Sequence, residues 1–238
     1  MPQLPGAVVL VTGANGGLGR EFVEQALARG AAKVYATARR PREWNDTRIV
    51  PLALDVTDPN SIRAAAAQAP DVTVLINNAG VAVESDTLLA LPDDEIRYVM
   101  ETSFFGPVAL TRAFAPVLAA GGTSAVLNIH SALSWIALTG AYSASKAALW
   151  SATNSFRMEL APQGTHVTGV HVAYIDTAMA EAVDAPKTTP GEVVRKALNG
   201  LEQGDYEVIV DDITAGVKRR LSGPIVDLYP ALTANAPA

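Results

Sequence analysis

The stretch Thr12-Gly13-Ala14-Asn15-Gly16-Gly17-Leu18-Gly19, directly after the apolar run AVVLV at residues 7–11, constrains this 238-residue chain more than any other feature. A short β-rich run that breaks into glycines, and then into a helix-forming stretch 17–29 closed by Gly30, reads as strand, tight turn and helix. Glycines there let the backbone bend sharply and approach a phosphate, and the first N–H groups of the helix attract an anion. The spacing TGxxxGxG departs from the GxGxxG fingerprint. The strand before it and the helix after it separate it from an ordinary glycine-rich turn.

The pattern repeats along the chain. Strands are predicted at 33–37, 49–54, 72–76, 124–129, 167–172 and 206–210, and helices at 62–68, 92–118, 141–160 and 190–202. Asp93 and Asp94 suit the positive end of the long helix at 92–118. Strands alternating with helices form βαβ units, and strands apolar throughout fit a sheet covered on both faces. The expected fold is α/β: a Rossmann-like, doubly wound parallel sheet of about seven strands with helices on both faces. Residues 1–238 read as a single domain, with the tail after about Leu221, which carries Pro224, Pro230 and Pro237, held loosely.

Composition narrows the function. Hydrophobic residues are 49% and charged residues 18%, which allows a large core. A net charge of −6 lacks the basic footprint of a nucleic-acid or anionic-membrane binder, so neither partner is expected. No cysteine is present, which removes disulfides, thiolate zinc sites and cysteine nucleophiles. His130, His166 and His171 lack a nearby grouping of acids, so no metal site is expected. The N-terminus has no basic n-region, and no apolar stretch of about 18 residues stands out, so the expected location is cytoplasmic.

In dinucleotide folds an acid at the end of the second strand binds the adenosine ribose, whereas arginine accommodates a 2′-phosphate. Here the second strand runs into Ala38-Arg39-Arg40, with no acid. A guanidinium matches phosphate in charge and geometry, so NADP(H) is the expected cofactor. Asp55-Val56, ending the third strand, lie where an adenine would rest. Asn77-Asn78-Ala79-Gly80 end the fourth, at the carboxyl side where such sheets bind ligands.

Tyr142 and Lys146, in Tyr142-Ser143-Ala144-Ser145-Lys146, stand four apart at the start of a helix and share one face. A phenol titrates near pH ~10, and a neighbouring ammonium favours phenolate. That spacing alone is common on surfaces and gains force by following a nucleotide-binding half. Together, TGANGGLG, NNAG and YSASK resemble the compact form of the short-chain dehydrogenase/reductase family from about residue 7 to residue 179. The resemblance implies carbonyl–alcohol interconversion with Tyr142 as general acid for reduction and base for oxidation. Lys146 would lower the tyrosine pKa and hold the nicotinamide ribose. Ser131 would steady the substrate oxygen, with Ser134 a rival further past the strand. Gly13, Asn15, Gly17, Leu18 and Gly19 would cradle the cofactor, and Ile175 and Thr177 would contact its carboxamide. A homodimer or homotetramer through the helices at 92–118 and 141–160 is also implied.

Three departures from the family stand out. Ser103 occupies a place that usually holds asparagine, where it would weaken or rebuild a proton relay. The interval from Ser131 to Tyr142 is roughly two residues short. Val172-Ala173 replace a usual Pro-Gly. Trp135, Ile136 and Leu138 fit an apolar pocket wall or plain core equally well, and Tyr174, Met179 and Val183 a second wall or lid. His130 reads as structural, because strand alternation turns it from Ser131. Trp150 reads as core or interface, and Asp211-Asp212 as a solvated turn. The substrate expected is a small apolar ketone, aldehyde or secondary alcohol. The alternatives are a non-catalytic NADP(H)-binding regulatory protein and an acyl-carrier-protein ketoreductase.

Overall fold

A computed structural model of the chain describes residues 1–83 and 87–234. Among these, seven strands form one parallel sheet in the order β3-β2-β1-β4-β5-β6-β7. They are β1 (Val8–Thr12), β2 (Lys33–Ala38), β3 (Ile49–Ala53), β4 (Val74–Asn77), β5 (Ser124–Ile129), β6 (Thr165–His171) and β7 (Glu207–Ile209). The order reverses between β1 and β4, and the crevice at their carboxyl ends is where an open parallel sheet binds ligands.

Each face of the sheet carries its own core. α1 (Gly17–Ala28) and α6 (Pro190–Gln203) cover one face, packing Phe22, Val23, Val194 and Leu198 on Val9, Val11, Ile76 and Leu127. α2 (Pro59–Gln68), α4 (Gly106–Ala120) and α5 (Gly140–Leu160) cover the other, packing Ile62, Leu110, Phe114 and Phe156 on Leu10, Leu75 and Val126. α2 begins three residues earlier than the apolar pattern predicts. Asp58 caps it by accepting the Asn60 N–H (2.9 Å), and Pro59 opens its first turn.

The helix expected over 92–118 is interrupted. α3 (Asp93–Met100) passes through a π turn (Glu101–Phe105) into α4. Pro107 lacks an N–H for the Ser103 carbonyl four residues back, and its ring crowds that carbonyl, so the helix widens there. Ser103 sits in the widened turn. By length and composition the run Asp93–Ala120 would suffice to cross a membrane (mean hydropathy 1.3 over an 18-residue stretch within it), contrary to the sequence reading; in the fold its Leu110, Phe114 and Leu118 are buried against the sheet.

The chain after β7 carries helices as far as Ala234. Asp211 is no solvated turn: it caps α7 (Asp212–Arg220), accepting from the Thr214 N–H at 2.8 Å. Two short helices follow, α8 (Ile225–Leu228) and α9 (Ala231–Ala234). Residues 235–238 of the tail, Pro237 included, lie outside the described residues.

Candidate active site

The glycine-rich turn is shaped by close approach. Gly13 and Gly17 adopt φ of 69° and 51°, the left-handed region that favours glycine. A Cβ on Gly19 would stand 2.1 Å from the Gly13 carbonyl oxygen, so any side chain there would force the turn open. The turn is stitched to the end of β4. Thr12 Oγ1 accepts from the N–H groups of Asn78 and Ala79, both at 2.9 Å, and Asn78 Nδ2 donates to the Thr12 carbonyl at 2.7 Å. At its N-terminus α1 has no side-chain cap and no acidic residue in its first turn, an arrangement suited to an anion.

The expected cofactor residues separate into two groups. Gly13, Asn15, Gly17, Leu18, Gly19, Asn78, Ala79, Gly80, Ile175 and Thr177 border this turn or the adjoining strand ends, and a Cβ on Gly17 would meet Thr177 Cγ2 at 3.4 Å. Asn77 is placed differently. It is buried, and its Nδ2 donates to Asn128 Oδ1 (2.8 Å) and Thr111 Oγ1 (3.2 Å), as a strut beneath the sheet's carboxyl edge. Arg39 and Arg40 are both exposed. Asn15 ties their loop to the glycine turn: its Nδ2 donates to the Arg40 carbonyl (2.8 Å) and its Oδ1 accepts from the Arg42 N–H (3.2 Å). Asp55 turns back on Thr57, whose backbone N–H and hydroxyl, aided by the Arg39 charge, hold the carboxyl below its usual range. Val56 lies against Gly106, where a Cβ would come within 2.9 Å of the Val56 carbonyl oxygen. These positions fit a dinucleotide bearing an extra phosphate: the backbone is open where a phosphate must approach, and two exposed guanidinium groups stand where a 2′-phosphate would lie.

Tyr142 and Lys146 project from the first turns of α5. Lys146 is 3% exposed; its Nζ donates to the Ile129 carbonyl at 2.8 Å and lies 5.5 Å from the centre of the Tyr142 ring. Burial dominates both groups, pushing the Tyr142 phenol up to about 12 and the Lys146 ammonium down to about 8. Burial therefore sets the Tyr142 phenol, although Lys146 Nζ stands within 5.5 Å of its ring centre. Gly80 lies against Lys146 and Ser103: a Cβ there would stand 3.6 Å from both Lys146 Nζ and Ser103 Oγ. Ser103 faces the strand-end backbone, accepting from Val81 N–H (3.2 Å) and donating to the Val81 carbonyl (3.3 Å).

Ser131 lies two residues beyond the carbonyl that holds Lys146. Its Oγ accepts from the Leu133 N–H (3.1 Å), and its own N–H donates to Ser134 Oγ (3.3 Å), which makes Ser134 a backing group. His130 points to the other side of β5 and stacks on His171 (centroids 4.7 Å). Burial holds His130 well below the usual histidine range and His171 at about 3, so both are neutral at neutral pH. Trp135 stacks on the opposite side of His171 (4.1 Å) and meets Trp150 edge-on. Leu138 and Met179 are 52% and 56% exposed, while Tyr174 is half-buried. Two nearby residues have roles that the sequence reading did not assign to them. Asp211 was legible, as an Asp three residues before Thr214 at a helix start; Tyr229 carried no local signal.

A family model described as short chain dehydrogenase matches residues 7–188. A ketoacyl reductase, HetN, from Nostoc sp. is 30% identical over 89% of this chain and 80% of its own. A short chain dehydrogenase from Burkholderia cenocepacia, solved in complex with NADP, superposes with a TM-score of 0.92 at 36% identity over 99% of this chain and 100% of its own. An NADPH-bound carbonyl reductase from chicken fatty liver gives 0.77 at 28% identity, over 86% of this chain and 96% of its own.

Proposed function

Because the chain belongs to the short-chain dehydrogenase family and is an oxidoreductase of that kind, we propose that it is an NADP(H)-dependent carbonyl reductase or alcohol dehydrogenase. The proposed substrate is a small apolar ketone, aldehyde or secondary alcohol. One observation carries the reading: Tyr142 and an almost wholly buried Lys146 share a helix face, with Lys146 held by the Ile129 carbonyl two residues before Ser131 and close to Gly80, where the end of β4 meets the glycine-rich turn. The Burkholderia and chicken structures, solved with NADP and NADPH, support the cofactor.

The chain's residues divide the work. The glycine turn and the N-terminus of α1 would receive the pyrophosphate, and Arg39 and Arg40 the 2′-phosphate. When bound, NADP(H) supplies the hydride chemistry. Tyr142 holds the proton that reaches the carbonyl oxygen, Ser131 donates to the same oxygen where charge develops, and Lys146 places a cation under the ring. NADPH oxidation by the wild type with a panel of ketones and aldehydes tests the reading; no turnover with any carbonyl would leave a non-catalytic dinucleotide-binding protein.

Cofactor preference has its own expected result. A charge-assisted contact is worth on the order of 1.5–3 kcal/mol, so Arg39→Ala should weaken NADPH binding roughly tenfold or more and leave NADH nearly unchanged. Fluorescence titration of both nucleotides checks it; equal wild-type affinity for the two overturns it. A ketoacyl substrate on an acidic carrier is the second reading, favoured by the Nostoc relative, and β-ketoacyl thioesters belong in the panel.

The proposed assembly is a homodimer or homotetramer in the cytoplasm. Tyr98, Phe105 and Met158 are large apolar groups left exposed along α3, the π turn and α5. Light scattering at micromolar concentration is expected to show at least a dimer, and a monomer alone would refute it.

A further inference from the structure

The segment after β7 touches both the stretch that follows β6 and the stretch that joins Ser131 to α5. At its start, Asp211 Oδ2 accepts from the Ala173 N–H at 2.8 Å, which holds the first residue of the stretch that carries Tyr174, Ile175 and Met179. Midway, Lys218 Nζ lies 5.8 Å from the centre of the Trp135 ring. At its end, the Tyr229 hydroxyl accepts from the Ala137 N–H at 2.8 Å.

The segment from Trp135, which packs on His171, to Thr139 joins Ser131 to the catalytic helix, and three successive amides along it are taken by side chains. Leu138 and Thr139 donate to Ser143 Oγ (3.3 and 3.1 Å), one residue beyond Tyr142. Ser143 Oγ also meets Thr139 Oγ1 at 3.1 Å, so its capacity is spent. Ala137 is the next amide out, and its acceptor comes from the tail. This stretch therefore hangs between one support on the catalytic helix and another on the C-terminal segment.

We infer that Tyr229 is a specificity-determining positioning residue: through the Ala137 amide its hydroxyl sets where the Trp135–Thr139 stretch stands relative to Tyr142, and so how a carbonyl substrate fits the cleft. The inference rests on the oxidoreductase reading above. It concerns the fit of the substrate body rather than the proton or hydride, so its signature is a split between KM and kcat.

The test compares full-length wild type, Tyr229→Phe and Ile225→Ala, using NADPH and the ketone that the wild type turns over best. Tyr229→Phe keeps the ring and removes the acceptor. Its KM is expected to rise about fivefold, close to 1 kcal/mol at 1.4 kcal/mol per tenfold, with kcat within twofold and NADPH affinity unchanged. Hydrogen exchange at the Ala137 amide should quicken. Ile225→Ala, on an exposed side chain of the same tail, should leave all four quantities as in wild type. A KM within twofold of wild type for Tyr229→Phe overturns the inference, as does an equal rise in Ile225→Ala or a joint fall of kcat and NADPH affinity. If the wild type turns over no carbonyl, the oxidoreductase reading falls and this inference with it. If the wild type is active and Tyr229→Phe matches it, only this inference falls.

Discussion

Tyr142→Phe is expected to lower turnover by roughly 10²–10⁴-fold, the usual worth of a positioned general acid. The ring stays and only the hydroxyl goes, so NADPH affinity should hold and the fall should appear in kcat. Direction matters to the pH profile. Burial pushes the phenol up to about 12, so below that pH it keeps the proton that carbonyl reduction needs. Reduction should therefore run level across neutral pH, while alcohol oxidation, which needs the phenolate, should climb steadily toward alkaline pH. Initial rates in both directions, for wild type and variant, check this. Full activity in Tyr142→Phe would place the acid elsewhere.

Lys146→Met should move activity and stability in opposite directions. The ammonium is almost wholly buried, with one hydrogen bond to the Ile129 carbonyl, and burial lowers its pKa from 10.5 to about 8. The sign follows from proton counting. Between about 8 and 10.5 the unfolded chain holds a proton that the folded chain has released, so stability rises with pH across that window. Below about 8 the full penalty of burying the charge is present. At 1.4 kcal/mol per unit that penalty is about 3 kcal/mol, offset by about 1 kcal/mol for the hydrogen bond that methionine loses. A net gain of about 2 kcal/mol corresponds to a thermal midpoint higher by about 4–8 °C for a chain of this size. The gain should be largest near pH 7 and shrink toward pH 10, while turnover and NADPH affinity both fall. Calorimetry at several pH values reads the first effect and the NADPH assay the second. A variant less stable than wild type at pH 7 would show that Lys146 is a structural support. A gain would mean that the fold tolerates a costly buried charge for the sake of the site.

What could be read locally was read from the chain alone. The order of strands and helices follows from apolar runs punctuated by glycine and proline, because backbone periodicity is a property of neighbouring residues. The glycine turn and the four-residue spacing of Tyr142 and Lys146 were legible for the same reason: each is confined to one turn or one helix face. Edges failed where a single residue overruled the pattern, as Asp58 did at α2 and Pro107 at the π turn.

The tertiary structure alone decided which of those groups meet, and in what environment. Asn77 reads like its neighbour Asn78, yet the pairing of β4 with β5 buries it against Asn128 while Asn78 reaches Thr12. Trp135 reads as a pocket wall or core with equal ease, and the stack with His171 forms only because β5 and β6 are adjacent. Lys146 was expected to lower the Tyr142 pKa, but burial pushes the phenol up and the ammonium down, since desolvation depends on every element packed around a group rather than on its place in the chain. The Ala137–Tyr229 bond joins residues 92 positions apart. No local pattern encodes it, because a hydrogen bond between distant segments exists only once packing has brought its donor and acceptor together.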